Sequence, residues 1–430
     1  LDANDFRHDF HAFGVSALLM AQLYKCKGKD WSVRSHEPAL KQAANLYLAG
    51  DFPAAKRILG EEFKKLEAAR KAVIDKPVYI MNMPHGGILF ENEGYAEYDS
   101  PEDAAKILNI YLDWSERFGY KFAPDIGACT LEHLAKLYPQ TIARLKKAWS
   151  DGRIEFVNGT YSQPYMQLWP LWDQDKQFEI GLKVFERLFG ARPRVYGAQE
   201  LALHPEMPAL LKKHGYAYAI HRSQNLGVAP IDRAPFINWE SSSGDSIRAL
   251  PSHPLRTEVR GSEIWRHFPV LLASGRNEGM PFIAFTNFID QTFIDIYFME
   301  FVRTEQYAPV WGEFLTPSEF FNKTKDIEAV ARAYKIDDYD YELAVNAGSG
   351  HGPRTGGYSS EISFMLESGR QIREKEKQGI SDEAALKKLL AQEAHDCYII
   401  PHIATGFFTE GSLPDYTGPR YRCSNDGPGG

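Results

Sequence analysis

Apolar residues recur at helical spacing through the first 76 residues of the chain. Two such stretches, Ala43–Leu48 and Ala54–Leu59, are separated by Gly50–Pro53, where glycine and proline interrupt the pattern. Strong helix formers then dominate Glu61–Val73. The pattern predicts a helical hairpin within residues 1–76 that packs on another part of the chain.

From Lys76 onward, short apolar runs alternate with longer segments of helical periodicity. The expected strands are Val78–Met83, Tyr120–Pro124, Ile154–Gly159, Arg194–Gly197, Ala217–Ile220 and Phe282–Phe285. The expected helices are one that begins at Ser100–Asp103, then Thr130–Ser150, Gln174–Phe189 and Met207–His214. Strands and helices that alternate with short loops indicate a parallel sheet. About seven such units fit into residues 77–325, so we predict an α/β fold with an irregular (β/α)7-type barrel over that range.

The pattern becomes helical again from Ala329 onward. Tyr358–Lys377 and Ser381–His395 are long segments of helical character, and the second has acidic residues in its first turn. We therefore predict a C-terminal helical domain and tail over residues 326–430.

The composition is that of a globular protein and excludes several function classes. The 430 residues carry a formal net charge of −8, whereas a nucleic-acid partner needs a basic surface. No apolar stretch reaches the roughly 20 residues of a membrane span, so no membrane partner is expected. No GxGxxG or P-loop motif follows an expected strand, which argues against a nucleotide site. The four scattered cysteines form no CxxC pair, and a periplasmic or secreted location is slightly favoured.

Polar side chains follow the expected strands at their carboxyl ends, where reactive groups lie in a β/α barrel. These residues are Asn82, His85, Asp125, Asn158, Tyr161, Gln199, Glu200, His221, Arg222, Asn287 and Asp290. Glu200 and Asp290 stand out because each acid follows a strongly apolar strand. Glycoside hydrolysis needs two carboxyl groups, one to protonate the leaving oxygen and one to attack or to activate water. The alternative for each acid is a structural ion pair or a helix N-cap.

The loop Tyr161–Trp169 is rich in aromatic residues and follows an expected strand. Aromatic side chains stack on the apolar faces of sugars, so Tyr161 and Trp169 are candidates for a sugar platform. A lid packed on neighbouring loops is the alternative that the sequence leaves open.

Several segments, in order, resemble the catalytic region of glycoside hydrolase family 38, the α-mannosidase type. They are Gly152–Gly159, Asp173–Arg194, Phe236–Ser246, Phe314–Phe320, and Thr355–Ser360 together with Ala391–Asp396. The resemblance covers roughly residues 77–400 and implies a barrel followed by a helical domain. It also implies a sugar contact for Arg222, a metal position for His395 and a substrate contact for Asp396.

The chain departs from family 38 at two places that matter for chemistry. The family's His-x-Asp zinc ligands correspond to the stretch Met81–His85, and methionine is a poor zinc ligand. Its nucleophilic aspartate corresponds to the segment around Glu200. Family 57, a related barrel family that works without metal, uses a glutamate on a comparable strand, and the segment from Glu200 to Tyr216 is similar to that pattern. We therefore do not favour a bound metal, although zinc or another divalent ion around His395 is the alternative.

The leading hypothesis is a retaining glycoside hydrolase of a poly- or oligosaccharide, with Glu200 as nucleophile and Asp290 as acid/base. The expected substrate contacts are His85, Tyr161, Trp169, Arg222 and Asp396. A metal-dependent polysaccharide deacetylase and a catalytically silent glycan-binding protein are the alternatives. The sequence leaves the sugar, its linkage and the oligomeric state open.

Overall fold

The computed structural model of the chain describes a mixed α/β protein. It describes residues 3–86, 89–90, 93–94, 100–164, 166–197, 203–221, 230–252, 263–290, 310–339 and 356–394.

The chain begins with three helices, α1 (Ala3–Cys26), α2 (Glu37–Leu48) and α3 (Phe52–Val73). Asp51 caps α3 by accepting a hydrogen bond from the backbone N–H of Ala54 at 3.2 Å. Phe13 of α1 packs edge-on against Phe63 of α3, with ring centroids 5.3 Å apart. The Nε of Arg70 donates to the carbonyl oxygen of Val310 at 2.9 Å, so these helices are tied to residues far along the chain.

Five further helices lie between residues 101 and 213. They are α4 (Pro101–Phe118), α5 (Ala128–Leu137), α6 (Pro139–Ser150), α7 (Leu171–Phe189) and α8 (Met207–Lys213). The expected start of α4 is confirmed, because Ser100 accepts a hydrogen bond from the N–H of Asp103 and Pro101 occupies the first turn. The single helix expected over Thr130–Ser150 is wrong. Pro139 has no N–H and disfavours helical geometry at Tyr138, so the helix breaks there.

The strands are short except for two. They are β1 (Val78–His85), β2 (Leu89–Phe90), β3 (Glu93–Gly94), β4 (Val195–Tyr196), β5 (Tyr218–Ile220), β6 (Ile237–Glu240), β7 (Ser246–Leu250), β8 (Ile283–Asp290), β9 (Glu313–Phe314) and β10 (Val330–Ala333). β1 lies between β8 and β9 and is parallel to both. A second sheet has the order β10-β6-β7-β5-β4, in which only β6 and β7 pair antiparallel. β2 and β3 form a separate hairpin.

Two expected strands are present only as single bridges. Phe122 pairs in parallel with Ile154, and Asp125 pairs in parallel with both His85 and Val157. These bridges extend the sheet of β1 by two further chain segments in the order in which they occur along the chain.

The side chains of β1 alternate between two buried clusters. Val78 and Ile80 belong to an outer cluster shared with the surrounding helices, among them α1, α3 and α4. Met81 and Met83 belong to a central cluster, which also contains Val195 of β4. Further members of this central cluster are Ala123, Val157, Ile220, Leu250 and Ala284. Strand periodicity thus gives both sheets one common apolar interior and an outer face covered by helices.

The remaining helices complete the outer layer. They are α9 (Glu263–Ala273), α10 (Pro317–Lys323), α11 (Gly356–Lys377) and α12 (Glu383–Gln392). The helical pattern expected from Ala329 is wrong at its start, because Val330–Ala333 forms β10 beside β6. Among the residues that the structure describes, no helix is both long and apolar enough to cross a membrane.

Candidate functional site

Polar residues meet at the carboxyl edge of the sheet that contains β1. The parallel register of β1 and β8 runs from Val78 opposite Ile283 to His85 opposite Asp290. On the other side of β1, His85 is bridged to Asp125, and Asp125 is bridged to Val157. Asp290 and Asp125 therefore flank His85 at the ends of three adjacent chain segments, as the rule for strand ends predicts.

Asp125 is the centre of a buried hydrogen-bond network. Its Oδ1 accepts from the side-chain amides of Asn158 and Gln163, each at 2.9 Å. Its Oδ2 lies 3.2 Å from the Nδ1 of His85. Gln163 also donates to the carbonyl oxygen of Asp125 at 3.0 Å. A carboxylate that accepts from Nδ1 fixes the tautomer and the orientation of an imidazole, so Asp125 positions His85.

Backbone strain coincides with this network. Asn158 has φ 72° and Gln163 has φ 57°, and within the described residues these are the non-glycine positions with positive φ. Asparagine adopts the left-handed region readily, whereas glutamine does so rarely. The carbonyl oxygen of Asn158 accepts a hydrogen bond from the hydroxyl of Tyr216. Strained backbone held in place by a buried network is typical of functional sites.

The carboxyl ends of β4 and β1 lie against each other. A Cβ on Gly197, the residue after β4, would lie 2.7 Å from the Cε of Met83 on β1. Gly197 therefore lies close to the end of β1. The candidate nucleophile Glu200 follows β4 by four residues, and it lies outside the described residues, as does Arg222.

His221 follows β5 at the same edge and is buried, with its ring 4.2 Å from the ring of Trp239 in an edge-on contact. Burial lowers the pKa of His221 to about 3, so the imidazole is neutral near pH 7. Neither ring nitrogen has a hydrogen-bond partner within the described part of the chain.

The two aromatic residues proposed as a sugar platform are both buried. Tyr161 belongs to the outer cluster, and its hydroxyl donates to Glu132 of α5 at 3.1 Å. The Nζ of Lys387 lies 5.9 Å from the centre of its ring. The ring of Tyr161 therefore packs against protein, which corresponds to the alternative of a packed loop. Trp169 is also enclosed, and its carbonyl oxygen accepts from Gln174 at 2.8 Å.

A second buried network reaches the segment that precedes His395. Pro164 pairs with Ala394 in an antiparallel bridge. Beside it, the amide of Gln177 donates to Glu393 at 3.0 Å. Burial, followed by the charge of Asp173, raises the pKa of Glu393 well above its usual range. His395 and Asp396 themselves lie outside the described residues. The described part of the chain holds no group of three His, Cys, Asp or Glu side chains arranged to bind a metal ion.

The network contains residues to which the sequence analysis assigned no catalytic or binding role. Asp125 follows an expected strand, and this position was the signal available for it. Gln163 had no such signal. Its role depends on a left-handed backbone conformation, which a glutamine in the sequence does not predict.

Comparison with known families decides between the two resemblances. The sequence model of glycosyl hydrolase family 57 matches residues 45–259, which is half of the chain. The chain belongs to glycosyl hydrolase family 57. The sequence ranked family 38 first, and that ranking is corrected. In this family 57 chain, the stretch that corresponds to the zinc ligands of family 38 contains Met81 and Met83, and both side chains pack in the central cluster. A comparison with curated proteins finds no match.

Solved structures are similar to the family 57 chain at low identity. An α-mannosidase from Enterococcus faecalis V583 is 15% identical with a TM-score of 0.54, over 75% of this chain and 39% of that one. The α-amylase AmyC from Thermotoga maritima is 12% identical with a TM-score of 0.50, over 80% and 90%. A 4-α-glucanotransferase from Thermococcus litoralis is 13% identical with a TM-score of 0.45, over 75% and 54%. At these identities the likeness concerns the fold alone. The chain spans only about half of the glucanotransferase and less of the mannosidase.

Proposed function

We propose that this family 57 chain is a retaining glycoside hydrolase that cleaves a glycosidic bond in a poly- or oligosaccharide. The observation that carries the proposal is the alignment of Asp290, His85 and Asp125 at one carboxyl edge. An acid at the end of a parallel strand, in register with a histidine whose imidazole is held by a buried carboxylate, suits acid/base chemistry on a bound sugar.

The proposed scaffold is an irregular (β/α)7-type barrel. It is supported by the central cluster, because Met81, Val195, Leu250 and Ala284 come from both sheets and pack together. Inward-facing residues that fill a common interior are the mark of a packed barrel. The proposed division into residues 1–76, 77–325 and 326–430 remains a prediction.

Glu200 is the proposed nucleophile and Asp290 the proposed acid/base. Asp290 protonates the glycosidic oxygen while the carboxylate of Glu200 attacks the anomeric carbon, and the bond to the leaving group breaks. Asp290 then takes a proton from a water molecule, which attacks the same carbon and releases both the sugar and Glu200. A separation of about 5 to 5.5 Å between the two carboxyl groups is required for retention.

Asp125 is not suited to either catalytic role. Its Oδ1 accepts hydrogen bonds from two amides and its Oδ2 faces His85, so its charge is engaged in the protein. We assign it a positioning role. His85 remains a proposed substrate contact from its position at the strand end, and Arg222 and Asp396 remain proposed contacts on the resemblance alone.

The experiment is a screen of purified protein, wild type and Glu200→Gln, against a panel of neutral and charged glycans. We expect the wild type to release reducing sugar from at least one glycan, and Glu200→Gln to lose nearly all of that activity while remaining folded. Each assay is repeated after extended chelation, which should leave activity unchanged. Release of acetate from acetylated glycans would favour the deacetylase instead. Calorimetric binding without turnover would favour a silent glycan-binding protein.

A further inference from the structure

A pocket with a volume of about 430 Å³ lies beside the segment that follows the candidate nucleophile. It is open to solvent and is lined by the loop before α7, the first turn of α7, the start of α8 and Ile336. This volume lies within the range of small-ligand sites. The segment Pro205–Glu206 that lines it begins five residues after Glu200 in the chain.

One wall of the pocket is held rigid by a closed set of hydrogen bonds. The amide nitrogen of Gln174 donates to the carbonyl oxygens of Met166 and Trp169, each at 2.8 Å. Its amide oxygen lies 2.7 Å from the Nε2 of His204. The Nδ1 of His204 accepts from the backbone N–H of Glu206 at 3.2 Å. The hydrogen-bonding groups of Gln174 and His204 are thus all paired within the protein, and they hold this wall in place without a ligand.

The same bonds determine the charge of the wall. The Nδ1 of His204 is an acceptor, so the neutral ring carries its proton on Nε2 and donates it to Gln174. Burial lowers the pKa of His204 to about 4, in agreement with a neutral ring. Among the described residues that line the pocket, Glu206 is the one that carries a charge.

One charged group of the described lining is left open to a ligand. The carboxylate of Glu206 makes no capping hydrogen bond to α8, although Glu206 is the N-cap residue. Two aliphatic side chains in the lining are exposed, Leu171 at 57% and Ile336 at 58%. A carboxylate beside exposed aliphatic groups suits a molecule with many hydroxyl groups and apolar C–H faces.

We propose that this pocket is a subsite for a neutral sugar unit of the substrate, apart from the bond that is cleaved. The inference rests on the proposed function for the class of ligand, and it adds a preference for neutral sugars over uronic acids. Glu206 accepts hydrogen bonds from sugar hydroxyls, and Leu171 and Ile336 pack on the ring. A uronic acid unit is rejected, because its carboxylate would face Glu206 in a partly buried site with no cation in the described lining.

The test is calorimetric binding to the whole chain and needs no turnover. The probes are maltoheptaose, cellohexaose, mannohexaose and hexagalacturonate. Glu206→Ala and Ile336→Ala are compared with Glu328→Ala and Ile231→Ala, which alter an exposed acid and an aliphatic residue of 62% exposure outside the pocket. We expect at least one neutral probe to bind, with affinity reduced about fivefold or more by Glu206→Ala and less by Ile336→Ala. The two control variants should bind like the wild type.

The outcomes separate this subsite from the proposed hydrolysis. Neutral binding that survives both pocket variants, no binding of any neutral probe, or equally tight binding of hexagalacturonate would overturn the subsite. If Glu206→Ala weakens binding but the wild type hydrolyses none of the probes or the glycan panel, the subsite stands and the hydrolase proposal fails. Unfolding curves of each variant show whether a loss of binding comes from a loss of fold.

Discussion

Gly181 lies in the middle of α7, and an added methyl group at this position should destabilise the fold. A Cβ there would lie 2.6 Å from the carbonyl carbon of Thr160 and 2.8 Å from the backbone nitrogen of Tyr161, and it would overlap the carbonyl oxygen of Gly159. All three obstacles are backbone atoms, so no side chain can rotate away. The loop must move by several tenths of an ångström, and Asn158 and Gln163 lie at its two ends.

The magnitude follows from two opposed effects. Replacing glycine by alanine inside a helix stabilises it by up to about 1 kcal/mol. Overpacking against a rigid neighbour costs about 1 to 3 kcal/mol, and backbone obstacles put the cost at the upper end. Gly181→Ala should therefore lower the free energy of unfolding by about 2 kcal/mol. Gly14→Ala is the matched control, because Gly14 lies exposed inside α1 with nothing within 4 Å of the added methyl. It should stabilise the protein or leave it unchanged.

Urea unfolding followed by circular dichroism measures both variants. Activity on the glycan identified by the screen should fall about tenfold or more in Gly181→Ala, because the loop carries both amides that hold Asp125. Gly14→Ala should keep full activity. A Gly181→Ala protein as stable as Gly14→Ala would refute the close approach of α7 and the loop at residues 159–161.

Three further predictions follow from the site. Asp290→Asn should reduce turnover strongly on natural glycans but less on aryl glycosides with good leaving groups, and equal losses on both would contradict its role as acid. Asp125→Asn should shift the pH profile of kcat and lower kcat/KM, because His85 loses the carboxylate that orients it; a changed KM with an unchanged pH profile would contradict a positioning role. Burial lowers the pKa values of His204 and His221 to about 4 and about 3, below the ordinary value near 6.5 that both recover on unfolding. The unfolded state then binds more protons than the folded state as the pH falls. The contribution of each histidine to the free energy of unfolding is therefore complete above pH 6.5 and decreases by about 2 to 3 kcal/mol at pH 4.5. Urea midpoints at pH 7, 5.5 and 4.5 measure this loss, which His221→Leu should reduce; midpoints that do not change with pH would contradict it.

Local signals in the sequence predicted the start of α4 and the existence of β1 and β8, although these two strands run on to His85 and Asp290, beyond their expected ends at Met83 and Phe285. Ser100 and Pro101 mark the start of α4, because a hydroxyl cap and a proline suit the first turn of a helix. The rule for carboxyl ends of parallel strands selected His85 and Asp290, which the register of β1 and β8 brings side by side. Such features depend on neighbouring residues and on strand direction, and both can be inferred from one chain.

Features set by tertiary packing were harder to predict. The short strand Val330–Ala333 has a weak pattern of its own and forms because it pairs with β6. Tyr161 has the composition of a sugar platform, but its ring packs beneath Lys387 and its hydroxyl bonds to Glu132. Gln163 enters the site only because its backbone is held in the left-handed region. No local periodicity carries that information.

The central claim is that Glu200 forms a covalent bond to the sugar during turnover. The direct measurement is mass spectrometry of the protein incubated with a 2-deoxy-2-fluoro glycoside of the sugar it hydrolyses, since the fluorine slows release of the glycosyl-enzyme. Retention through Glu200 predicts one added fluoroglycosyl group on the peptide that contains Glu200, and none in Glu200→Gln. A label on another residue, or rapid hydrolysis of the natural glycan with no trapped intermediate and inverted product, would contradict it.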